Sequence, residues 1–130
     1  MKPHTHASTS GIVNNFLSAW AAALSASDFK ALAELFDEYA LFVATTPTPL
    51  LGRNQIQTYY EQVPVGLHVK ATLMCATRPN ESLVHALSQV SFEAPGGVSL
   101  KGRLGLSMIL GSHGWRVSFY QLMVDSPDSD

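Results

Sequence analysis

Residues with chemical potential are few in this 130-residue chain, and they are unevenly placed. In "SLKGRLGLSMILGSHGWRVSFY", residues 99–120, one arginine, Arg103, stands between Gly102 and Gly105 in a run that otherwise reads as an apolar strand. A guanidinium is costly to bury unpaired. Arg103 therefore either faces water or lines a cavity where an anion meets it. Its fixed fork of donors suits a carboxylate, and the hydroxyls of Ser88, Ser107 and Tyr120 are polar partners of the kind a buried arginine needs.

Acid/base chemistry requires a titratable group within hydrogen-bond reach of the substrate. The segments 98–110 and 115–124 hold no Asp or Glu. His85 reads as a surface or interface histidine, and His4 and His6 sit in a polar terminus with no third ligand. No metal centre and no cofactor are expected. The lone Cys75 forms no internal disulfide, which fits a reducing compartment.

Composition narrows the classes further. The chain is 46% hydrophobic and 14% charged, with a net charge of -2 and eight scattered Lys and Arg. No basic stripe offers itself to a phosphate backbone, so no nucleic-acid partner is expected. The first ten residues lack an apolar core, and no later run is long enough to span a bilayer. The expectation is a soluble, cytoplasmic protein without a membrane partner. The apolar share also suggests surface buried against a second chain.

These residues need a scaffold. Residues 1–9 read as a disordered tail and 10–127 as one domain. Ile12, Val13, Phe16, Leu17, Trp20 and Leu24 recur at spacings of three and four after a Ser8 or Thr9 cap, which predicts a long helix. Ser27 or Asp28 caps a shorter one with Phe29, Leu32, Ala33 and Phe36 on its buried face. Residues 40–46 read as a short strand. After Gly52, a third helix buries Ile56, Tyr59 or Tyr60, and Val63 before Pro64 stops it. Only one of the adjacent tyrosines is expected to face inward. Trp20 and Phe16 fill the core or line a pocket, and the Trp20 indole N–H needs a partner in either case.

From residue 67 the period changes to two. "PNES", "APGG" and "GSHG" separate strands at roughly 67–78, 83–93, 98–110 and 115–124, an antiparallel meander. Strands this long survive by bending, for which Gly102 and Gly105 are suited. If every hairpin closes on an even loop, Leu73, Ser88, Arg103 and Leu122 share one row and one face. Leu104, Leu106, Met108, Val117 and Phe119 then form an apolar outer patch, the expected surface of a homodimer. The alternative, with Arg103 in solvent and the Leu/Met face against the helices, differs by a single residue of slip.

The order of elements, with a "PLLGR" loop, a helix ending "YYEQVP" and a closing strand "GWRVSFYQLMVDSP", resembles the nuclear transport factor 2-like superfamily. It is most similar to the SnoaL-like proteins and to the calcium/calmodulin-dependent kinase association domain. The resemblance implies an α+β, cystatin-like cone: three N-terminal helices on a strongly curved antiparallel sheet, dimerising through the sheet, with a pocket between the layers. In the superfamily's steroid isomerases a tyrosine and two acids transfer protons. The matching positions here are Trp20, Ala44 and Leu106, which cannot. Association-domain relatives carry an arginine where Arg103 stands, pointing into the pocket.

The expected ligand site is therefore Arg103, Tyr120, Ser88, Ser107, Trp20, Tyr60 and Phe16, holding a small organic acid without isomerase-type catalysis. A cyclase, isomerase or dehydratase is the alternative, and an oligomerisation module the second.

Overall fold

The computed structural model describes residues 8–125. Ser8, itself extended, caps helix α1 (Thr9–Ala26), its hydroxyl accepting from the Gly11 N–H at 3.0 Å. Asp28 does the same for α2 (Phe29–Glu34), accepting from the Ala31 N–H at 3.1 Å. Side-chain caps of this kind satisfy donors that the first helical turn leaves open. Ser8 and Thr9, expected in the tail, are thus the cap and first residue of α1; residues 1–7, the rest of that expected tail, lie outside those described.

α2 is shorter than the spacing predicts. Phe36 leaves the helix and opens strand β1 (Phe36–Val43), where alternation buries Phe36, Ala40 and Phe42. A two-residue strand β2 (Leu50–Leu51) pairs with β1, and α3 (Arg53–Tyr60) follows Gly52. Arg53 is tied to the fold rather than to solvent: its Nε and one terminal nitrogen both donate to the Phe36 carbonyl, at 3.1 and 2.8 Å.

The meander consists of β3 (His68–Asn80), β4 (Leu83–Glu93), β5 (Ser99–Gly111) and β6 (Gly114–Val124). The six-stranded sheet runs in the order β2-β1-β6-β5-β4-β3, antiparallel except where β1 lies parallel to β6. Three helices on one face of this sheet make the α+β cone. The core is strongly aromatic. Trp20 stacks on Phe16 with centroids 5.9 Å apart and meets Phe92 edge-on at 5.8 Å; Phe42 stacks on Tyr120 at 4.1 Å and 8°.

The register differs from the even-loop expectation along β3–β4, where the pairing shifts between Leu73 and Cys75 and again between Thr77 and Asn80, and at two further places, which decide the site. Glu93 pairs with Ser99, not Val98, so the β4–β5 loop holds five residues. Gly96 and Gly97 sit at φ +106° and +93°, a conformation L side chains rarely adopt. This pair turns the chain tightly enough for the Ala94 N–H to reach the Val98 carbonyl at 2.8 Å. The one-residue slip turns all of β5 over. Leu104, Leu106 and Met108 point into the core at 0%, 3% and 2% exposure, and Arg103 is exposed.

β6 is then turned back. Leu110 pairs with Trp115 and Met108 with Val117 as an even loop requires, but Ser107 pairs with Phe119. Ser118 is the extra residue of a β-bulge, so Val117 and Tyr120 both point inward. The apolar patch expected on the outside, Leu104, Leu106, Met108 and Val117, is therefore the core wall; of that set only Phe119 is half-exposed. Gly102 has its own use: a Cβ there would collide with the Met123 carbonyl oxygen on β6.

Candidate functional site

A cavity of about 460 Å³ opens between α3, the end of α1, the loop after β1, the β4–β5 turn and β6. Each side reaches it for a sequence reason. The i, i+4 spacing of Ile56 and Tyr60 turns Tyr60 toward the sheet, and the Ser118 bulge turns Tyr120 toward the helices. Phe92, Leu122 and Leu100 complete the sheet side, and Val63 and Leu67 the helix side. Thr45, Thr46, Gln62 and Ser99 provide polar groups. No Asp, Glu, His, Lys or Arg lines it among the described residues.

The polar feature of the wall is a three-residue cluster. The Trp20 indole N–H donates to the Tyr60 hydroxyl at 3.0 Å, fully buried, and Tyr120 stands with Tyr60 on the same wall. Burial raises the pKa of both phenols above the usual tyrosine value, because a phenolate there would lose its hydration. For Tyr60 the polar hydrogens of Trp20 and Tyr120 oppose this, and for Tyr120 the neighbouring tyrosines add to it. The wall is neutral at physiological pH.

Of the seven expected ligand residues, the cavity takes two, Tyr60 and Tyr120. Trp20 stands behind Tyr60, fully buried, with its N–H satisfied by that residue rather than by a pocket. Phe16 lies deeper, stacked on Trp20, and faces a separate hollow beside Trp115. Ser88 is fully buried on the inner face, its Oγ without a partner among the described residues. Arg103 and Ser107 are corrections: both project from the outer face of β5. Arg103 sits in a shallow dish with Lys70, Lys101, Gln89 and Asp125. The Ser107 hydroxyl bonds His85 Nδ1 at 2.8 Å across the sheet. The physical cause is the five-residue β4–β5 loop.

Tyr59 was missed. It is half-buried, packs on Phe42 at 5.1 Å and lines the cavity beside Tyr60, so both adjacent tyrosines reach it. Thr45 and Thr46, expected at the end of a strand over 40–46, lie instead in the loop after β1, and Leu100 stands at the start of β5. The positions matched to isomerase acids, Ala44 and Leu106, hold no titratable group, and Leu106 is core. Among the described residues no group of His, Cys, Asp or Glu is arranged to hold a metal ion, and no helix is long and apolar enough to cross a membrane.

Comparison with known proteins bears on this geometry. A family model for the SnoaL-like domain matches residues 13–123. A domain of unknown function with a cystatin-like fold from Nostoc punctiforme superposes with a TM-score of 0.82 at 19% identity, covering 96% of this chain and 82% of that one. A protein from Xanthomonas campestris provisionally named a calcium/calmodulin-dependent protein kinase II association domain gives 0.80 at 13%, covering 89% and 86%. A provisionally named scytalone dehydratase from Novosphingobium aromaticivorans gives 0.79 at 15%, covering 88% and 83%. At these identities the likeness is one of fold alone. In sequence, NADH-quinone oxidoreductase subunit 2 of Thermus thermophilus is 36% identical over 79 residues, 58% of this chain; the match spans 44% of that protein, less than half its length.

Proposed function

The chain belongs to the SnoaL-like family of the nuclear transport factor 2-like superfamily, and from its cavity we propose that it binds a small, uncharged, largely apolar molecule. The carrying observation is the lining: about 460 Å³ walled by aromatic and aliphatic side chains, with hydroxyls and amides but no charged group among the described residues. Pockets of this volume and character suit drug-sized organic molecules. A carboxylate was expected because of Arg103. With Arg103 on the outer face, an acid entering the cavity would lose its hydration without meeting a cation, a costly exchange.

Binding without acid/base turnover is the reading favoured over a cyclase, isomerase or dehydratase. Two neutral phenols can donate to a carbonyl, but proton transfer also needs a base, and no carboxylate or imidazole lines the cavity among the described residues. The test is a thermal-shift and calorimetric screen of neutral one- and two-ring compounds against their carboxylates. Neutral compounds should raise the melting temperature and carboxylates should not. Leu100→Trp, at the partly exposed rim, should weaken binding by narrowing the mouth. If no neutral compound binds at millimolar concentration, or the carboxylates bind tighter, the reading fails.

A further inference from the structure

We propose that the Tyr60–Tyr120 pair is the specificity element of this cavity, presenting one phenolic hydrogen that selects ligands carrying a neutral acceptor such as a carbonyl oxygen. The inference rests on the binding reading above and narrows its ligand class. It follows from counting donors. Trp20, Tyr60 and Tyr120 bring three polar hydrogens to one cluster, and an indole N–H can only donate. Trp20 uses its hydrogen on the Tyr60 oxygen at 3.0 Å. Any bond between the two hydroxyls can consume at most one of their two hydrogens, whichever way they rotate.

At least one phenolic hydrogen therefore has no acceptor within the cluster, and both tyrosines lie on the cavity wall. Both are almost fully buried, at 3% and 2% exposure, so bulk water does not freely serve that hydrogen. A buried donor left unpaired is costly; a ligand oxygen placed against it removes the penalty. A hydrocarbon of the same shape gains the apolar contacts but leaves the hydrogen unpaired. The indole fixes the geometry, since with Trp20 bonded to one lone pair of Tyr60 the hydroxyl cannot turn its hydrogen back into the core.

The experiment is a fluorescence or calorimetric titration with 2-acetylnaphthalene and its near-isostere lacking the oxygen, 2-isopropenylnaphthalene. The native protein should bind the ketone about three- to tenfold more tightly, the range of one net neutral hydrogen bond. Tyr120→Phe should keep the preference, because Tyr60 still carries a hydrogen that Trp20 cannot accept. Tyr60→Phe/Tyr120→Phe should bind both compounds equally, and its retained affinity for the hydrocarbon would show that the cavity has survived. Equal binding of both compounds by the native protein would overturn the inference while leaving the cavity reading intact. An unchanged ketone preference in the double variant would also overturn it. If the native protein binds neither, the binding reading itself fails.

Discussion

Tyr60→Phe isolates one interaction whose energetic consequence can be worked through. The substitution keeps the ring and its packing and removes only the oxygen that accepts from Trp20 at 3.0 Å. Trp20 is 0% exposed, so its N–H cannot turn to water. The variant loses a neutral hydrogen bond and keeps an orphaned buried donor, together about 2 kcal/mol within a range of roughly 1–3. At this chain length about 2 kcal/mol lowers the melting temperature by roughly 6–10 °C. Urea unfolding followed by far-UV circular dichroism measures it. Tyr59→Phe is the control, because among the described residues no hydrogen bond of its hydroxyl holds the fold, and it should stay within about 0.5 kcal/mol of the native protein. A Tyr60→Phe variant as stable as that control would mean that the Trp20–Tyr60 bond does not stabilise the core and would remove the basis for counting its hydrogens.

Further outcomes follow from burial and register. Tyr60 and Tyr120 keep their protons to higher pH when folded than when unfolded. Stability should thus be unaffected by these groups below about pH 10 and fall as pH rises toward the folded values, by up to about 1.4 kcal/mol per pH unit for each phenol; a pH series of urea midpoints in the native protein and the double Phe variant tests this, and a flat alkaline limb would refute it. Leu106→Ala should cost about 2–5 kcal/mol, whereas Arg103→Met on the outer face should change stability by less than about 0.5 kcal/mol and leave ligand shifts unchanged; the opposite ranking in thermal melts would restore the even-loop register. Gly102→Ala should destabilise by about 1–3 kcal/mol through its collision with the Met123 carbonyl, while Gly105→Ala, whose Cβ would stand 3.9 Å from the Gln121 carbonyl, should be close to neutral apart from side-chain effects. Equal losses at the two glycines in a denaturant titration would argue against the close approach of β6 at Gly102.

The sequence by itself determined the elements, because each rests on local chemistry. The three-and-four spacing from Ile12 to Leu24 makes one buried helix face wherever that helix packs, the spacing of Ile56 and Tyr60 marks a third helix, which ends at Tyr60 rather than at Pro64, and turn residues separate four strands of period two. Those features, in that order, carried the family resemblance as well. Tyr60 and Tyr120 were legible as pocket residues because one falls on a helix face and the other on a strand that ends up facing inward.

What the sequence left open was which way β5 faced, and only tertiary structure decided it. Side chains alternate at every residue along a strand, so one residue of loop length exchanges the two faces, and both faces of β5 looked usable: Arg103 and Ser107 on one, Leu104, Leu106 and Met108 on the other. Burying the three large apolar side chains against α1 and the aromatic core releases far more free energy than burying an arginine among serines. The adjacent glycines 96 and 97 supplied the odd turn that permits it, and the Ser118 bulge restored Tyr120 to the interior. Neither device carries a periodic signature. The ligand site we propose accordingly turns on a pair of neutral phenols rather than on a cation, since the placement of a single charge depends on long-range packing that no local pattern encodes.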